Sequence, residues 1–244
     1  SRFASGSFGF NEKSSYSSVY GKTDGMDGPS ECGVWWYQFF PKQPAYCRQN
    51  DVRLSKMKAF VSSLHRMAAV ASKPLIFKNL YASLRIEPIS LYVSNSLFVI
   101  IERDWVDNAQ SILRGREDAL GIYDRWWSVP PPNVQELEKL APVQQVVGQI
   151  ESIHRLIDQD IDRLGLEDRV FRVRYEDFCA DVYGTLDRFQ AFMARHGVEL
   201  ERRFEVPERF EVSRSVKIPQ TMYDEVVQEV AHRQSPQDEA GASA

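Results

Sequence analysis

Apolar positions along the chain alternate between two periods. Val52, Met57, Phe60, Val61, Leu64 and Met67 recur near helical spacing and predict a helix over 51–71, ended by Lys73-Pro74. Leu75-Ile76-Phe77 is a short apolar run and predicts a buried strand ending at Lys78. A helix is expected over 81–92, a strand over 97–101 and a helix from about 105 to 115. Val143, Val147, Ile150, Ile153, Ile157, Ile161 and Leu164 mark a long amphipathic helix that Gly165 stops. Val170-Phe171-Arg172-Val173-Arg174 predicts a third strand. A helix carrying Val182, Leu186, Phe189 and Phe192 follows it and ends before Gly197. Pro219 opens a last helix over 220–232.

Short apolar strands alternating with helices predict an α/β fold with a parallel, buried sheet. Three strands are few for this length, so the sheet reads as missing one member. The stretch 1–232 is expected to form a single domain, with 233–244 a small, polar, disordered tail. Residues 1–30 are rich in Ser and Gly and read as irregular. Residues 31–47 are dense in aromatic side chains (Trp35, Trp36, Tyr37, Phe39, Phe40, Tyr46). They fit a loop covering the core and a wall lining a substrate equally well. Trp126-Trp127-Ser128-Val129-Pro130-Pro131-Pro132 cannot be the interior of a helix.

Composition narrows the classes. With 244 residues and 43% hydrophobic content, the chain can bury a substantial core. A net charge of −4 argues against a broad nucleic-acid surface but leaves room for a local basic pocket. Cys32, Cys47 and Cys179 are odd in number and far apart, which points to neither a disulfide framework nor a zinc site. No stretch approaches the ~18 apolar residues of a membrane span, and Ser1–Tyr20 has no apolar core of the signal-peptide kind. The expected setting is reducing and cytoplasmic, and the oligomeric state is not legible.

Chemistry gathers at the strand ends: Lys78-Asn79, Arg103-Asp104 and Tyr175-Glu176-Asp177. Ligands of open α/β sheets bind at the carboxyl ends of strands. Arg103 there offers a planar fork of donors that matches a phosphate, and Ser111, eight residues on, can add a hydroxyl. Each residue taken alone reads better as ending its strand by capping or snorkelling. Three in register along one sheet edge suggest an anion site without a glycine-rich loop.

The order of these motifs resembles the PAPS-dependent sulfotransferase family, in its bacterial and carbohydrate-acting branch. Lys78-Asn79-Leu80-Tyr81-Ala82-Ser83-Leu84-Arg85-Ile86 is similar to that branch's lysine-to-arginine block. Val173-Arg174-Tyr175-Glu176-Asp177-Phe178 looks like its tyrosine–glutamate strand end, and Trp127-Ser128-Val129-Pro130-Pro131 like its tryptophan–proline loop. The segment from Thr23 to Gly33, followed by Trp35-Trp36, also looks like a bacterial subgroup. The resemblance covers roughly 75–195 and implies a P-loop-NTPase-like parallel sheet flanked by helices. It implies PAPS (3′-phosphoadenylyl sulfate) as sulfuryl donor, PAP as product, and a hydroxyl or amine of a carbohydrate or other large acceptor. No metal is implied.

The resemblance also assigns roles. Arg103 and Ser111 match the pair that binds the 3′-phosphate, and Lys78 matches the lysine that stabilises the bridging oxygen. Glu31, within Pro29-Ser30-Glu31-Cys32-Gly33, is the candidate general base; its plainer reading is a loop carboxylate paired with a nearby lysine. Arg214 and Lys217 match, by position alone, a C-terminal basic loop that touches the nucleotide. Glu176 reads as bracing the sheet edge, and His65 and His154 as ordinary helix residues. Trp35, Trp36, Trp126 and Trp127 could stack on sugar rings or simply pack.

The family's 5′-phosphosulfate loop has no counterpart. Gly21-Lys22-Thr23 mimics the end of a Walker loop, but its first glycine would fall on Tyr16. The first strand, loop and helix are expected upstream of Ser1, and the chain alone is then expected to be inactive. A second reading is a non-catalytic module that binds a nucleotide or sulfated ligand. A kinase of related fold is disfavoured by the missing Walker and magnesium signatures.

Overall fold

The computed structural model describes residues 31–235 and, ahead of them, the paired strands β1 (Ser18–Val19) and β2 (Lys22–Thr23). Most of the Ser/Gly-rich start, Gly21 included, and the tail 236–244 lie outside the described residues. Within the span read as one domain, the chain gathers into two compact units. The first runs up to Ser96 and takes in Ile157–Glu167; the second comprises Leu97–Leu156 and the chain from Asp168 onward.

The first unit holds α1 (Gly33–Trp36), α2 (Leu54–Ala71) and α3 (Ile86–Tyr92). The helix read over 81–92 is broken: a 3-10 turn covers Leu80–Leu84, and Arg85 lies outside the helical region before α3 begins. The strand expected at Leu75-Ile76-Phe77 does not form; residues 74–79 carry no ladder. Aromatic packing uses the segment instead. The Phe77 ring stacks on Trp35 at 5.3 Å, while Ile76 stays 83% exposed, which a buried strand would not allow. Trp35, Trp36, Phe39 and Phe40 all meet Phe60 of α2, so the aromatic block packs as core. Trp36 and Phe40 are buried.

In the same unit a part-buried polar network ties distant segments. Arg163 bridges Glu87 (2.5 Å) and Asp160 (2.7 Å), Tyr46 donates to Asp160 (3.0 Å), and the Gln49 N–H donates to Glu87 (2.9 Å).

The second unit is built on β3 (Phe98–Glu102) and β4 (Val170–Arg174), a parallel pair in the register Phe98↔Val170 to Glu102↔Arg174. The chain is thus mixed α/β and mostly helical, with a two-stranded parallel sheet in place of the three-stranded one expected. Lys78 accordingly does not end a strand, whereas Arg103 and Tyr175 each directly follow one. Around the sheet run α4 (Trp105–Leu120), α5 (Val134–Leu137), α6 (Pro142–Leu164), α7 (Tyr175–Ala180), α8 (Val182–Arg195) and α9 (Gln220–Gln234). Helix α6 starts in the second unit and ends in the first.

The core of the second unit joins three helices. Ala109 and Leu113 of α4 meet Val143, Val146, Val147 and Ile150 of α6 and Val226 and Val230 of α9. Phe171 of β4 packs on Phe189 and Phe192 of α8. No helix among the described residues is long and apolar enough to cross a membrane.

Candidate functional site

Two groups of candidate residues emerge, one in each unit. In the second unit, β3 delivers Arg103 to its carboxyl end. Asp104 then caps α4, its carboxylate accepting the Asp107 N–H at 3.0 Å, which fixes where the helix begins. Ser111 follows seven residues after that cap, roughly 10 Å along the axis.

The parallel register sets the strand end. Since Glu102 pairs with Arg174, the next residues, Arg103 and Tyr175, are neighbours, and the guanidinium lies 5.2 Å from the Tyr175 ring centre. Glu176 braces the same edge by accepting the Asp104 N–H at 3.0 Å. The Tyr175 hydroxyl is pushed above its ordinary range by its interaction with Cys179 and by burial, with Arg103 pulling the other way. Arg103 Nε is buried and has no partner, and no carboxylate pairs with this guanidinium, among the described residues. It is a cation held by a ring face, with N–H donors uncommitted.

Arg214 and Lys217 lie on a loop that sequence reading connected to the site only by position. The Lys217 N–H donates to Gln110 Oε1 at 3.1 Å, and Gln110 Nε2 donates to Asp107 at 2.8 Å. Gln110 is one residue before Ser111, so the basic loop is tied to α4 at the turn that carries the serine. Ile218, just beyond, is anchored in the core. Gln110 and Asp107 were not foreseen. A buried glutamine among apolar helix positions has no sequence signature, because its partner is 107 residues away.

In the first unit the two candidate catalytic residues meet. The Lys78 ammonium pairs with the Glu31 carboxylate, and Asn79 Nδ2 donates to the Glu31 carbonyl at 2.9 Å. The Asn79 side chain also accepts the Ala82 N–H, capping the turn that follows. This is the plainer reading of Glu31, a carboxylate paired with a nearby lysine. It also sets a proton acceptor directly beside a cation.

His65 is exposed on α2, and His154 lies edge-on to Trp105. All three cysteines are unbridged, Cys32 exposed and Cys47 and Cys179 buried. Among the described residues no cluster of His, Cys, Asp and Glu could hold a metal ion. Comparisons with protein-family models, curated proteins and solved structures each return no match.

Proposed function

We propose that the chain is a sulfotransferase of P-loop-like fold, using PAPS as donor and a carbohydrate or other large acceptor. The observation that carries this reading is Arg103. It is a half-buried guanidinium at the end of a parallel strand, seated on Tyr175, with no carboxylate partner among the described residues. A guanidinium in that position suits the 3′-phosphate. Ser111 adds a hydroxyl from the following helix, and Arg214 and Lys217 add charge from a loop fastened beside it. Three cysteines outside any disulfide fit a reducing, cytoplasmic setting.

In sulfuryl transfer the acceptor oxygen bonds to sulfur as the bond from sulfur to the bridging phosphate oxygen breaks. The acceptor proton passes to a base, and PAP leaves. Glu31 is the assigned base and Lys78 the cation for the leaving oxygen. Their ion pair means the ammonium must turn from the carboxylate before either group acts. That mutual neutralisation is the one observation favouring the second reading, a module that binds nucleotide without transferring sulfate.

Calorimetry with adenosine 3′,5′-bisphosphate tests the assignment. Binding is expected, and Arg103→Ala should weaken it about tenfold or more, since a hydrogen bond to a charged group contributes ~1.5–3 kcal/mol. Ser111→Ala should weaken it less. Affinity unchanged in both variants refutes the nucleotide site. Bisphosphate binding without PAP release from PAPS selects the module.

A further inference from the structure

Arg116 of α4 is fully buried, and the proposed reaction does not use it. Its guanidinium is half committed. Nη1 donates to the Tyr123 carbonyl and to Gln145 Oε1, both at 2.9 Å. Gln145 is itself oriented, because its Nε2 donates to the Leu140 carbonyl at 2.9 Å and leaves its oxygen for Arg116. Nε and Nη2 are buried without a partner among the described residues. These two form the side-on edge of a guanidinium, the fork that takes both oxygens of a carboxylate.

A second donor shares this environment. The Trp126 ring lies 5.5 Å from the Arg116 guanidinium, and its Nε1–H is likewise buried and unpartnered. No carboxylate of the chain pairs with Arg116 among the described residues. Burial lowers its pKa to about 10 even though Asp124 and Glu138 act electrostatically to raise it. Three buried donor nitrogens, two of them on a cation, are costly to leave unsatisfied in a fold. Their shared complement is an oxyanion.

The loop over this arrangement is held at defined points. Trp127 packs so closely on α4 that a Cβ on Gly115 would come within 2.8 Å of its ring. Gln149 donates to the Val129 carbonyl at 2.8 Å. Between them Ser128 adopts φ +76°, a left-handed conformation unfavourable for a residue with a Cβ. Residues 121–128 are otherwise irregular, with Gly121, Ile122, Asp124 and Arg125 exposed.

We infer that Arg116 and Trp126 form a binding site for the carboxylate of a small-molecule ligand. A monoanion is favoured over a dianionic phosphate because Asp124 and Glu138 already act on the guanidinium. The site shares no residue with the proposed nucleotide clamp.

Acetate is the probe, titrated against chloride at constant ionic strength, with melting temperature as the readout. Acetate should stabilise the protein beyond matched chloride and beyond inorganic phosphate. Arg116→Lys keeps the charge and loses the fork; Trp126→Phe keeps the ring and loses only the N–H. Each should weaken the acetate response about tenfold. An acetate effect equal to chloride, a stronger effect of phosphate, or a response undiminished in the Trp126→Phe protein would overturn the inference.

Discussion

The guanidinium of Arg103 rests over the ring of Tyr175, 5.2 Å from its centre, so the ends of the two parallel strands are joined through side chains as well as by their ladder. The ring supports the cation from one face without taking up an N–H donor. An aspartate in that place would have neutralised it.

Tyr175→Leu should therefore weaken binding of adenosine 3′,5′-bisphosphate several-fold, because a cation–π contact contributes ~0.5–2 kcal/mol and also orients the guanidinium. Tyr175→Phe keeps the ring and should bind like the parent chain. Calorimetry on the two variants checks this. A phenylalanine variant as weak as the leucine one would mean that the hydroxyl, not the ring, matters.

The ion pair of Glu31 and Lys78 is open to solvent, with side-chain exposures of 29% and 64%. Lys78→Met and Glu31→Gln should each change folding stability by less than ~1 kcal/mol, the usual range for exposed pairs. If the sulfotransferase reading holds, both should abolish PAP release from PAPS. Urea unfolding and PAP release, measured on the same preparations, separate the two effects. Near-normal turnover in Glu31→Gln removes Glu31 as the base.

Burial pushes the Cys47 thiol above its ordinary value of 9.0, with nearby Arg85 pulling it down less strongly. The unfolded chain thus releases this proton at lower pH than the folded one. The stabilisation is complete below about pH 9 and is lost as pH rises further. The stability difference between the parent chain and Cys47→Ala should shrink between pH 7 and pH 10 in denaturant titrations. In the folded protein iodoacetamide should label exposed Cys32 and spare Cys47, as peptide mass mapping would show.

Much of the fold was legible because local patterns determine local elements. The stripe from Val143 to Leu164 became α6, the runs around 98–102 and 170–174 became β3 and β4, and Arg103 directly follows a strand. The failure at Leu75-Ile76-Phe77 is instructive. A three-residue apolar run fits a strand, but Phe77 finds Trp35, forty-two positions earlier, and ring stacking fixes the segment without a ladder. Periodicity cannot see that partner.

The candidate sites divide along the same line. Residue types and spacing singled out Arg103, Ser111, Lys78 and Glu31, because a fork of donors, a hydroxyl, an ammonium and a carboxylate advertise their chemistry wherever they occur. Gln110, which fastens the basic loop to α4, and Arg116, whose outer edge is unpaired, carry no such signal. Each gains its significance from partners brought near by folding: the Lys217 N–H for one, the Tyr123 carbonyl, Gln145 and Trp126 for the other. The sequence by itself determined the long helices, the two parallel strands and the inventory of charged groups, since these depend on neighbours within a few residues. Tertiary structure alone decided which charges are neutralised and which stay unpaired. That depends on burial and on contacts across more than a hundred residues.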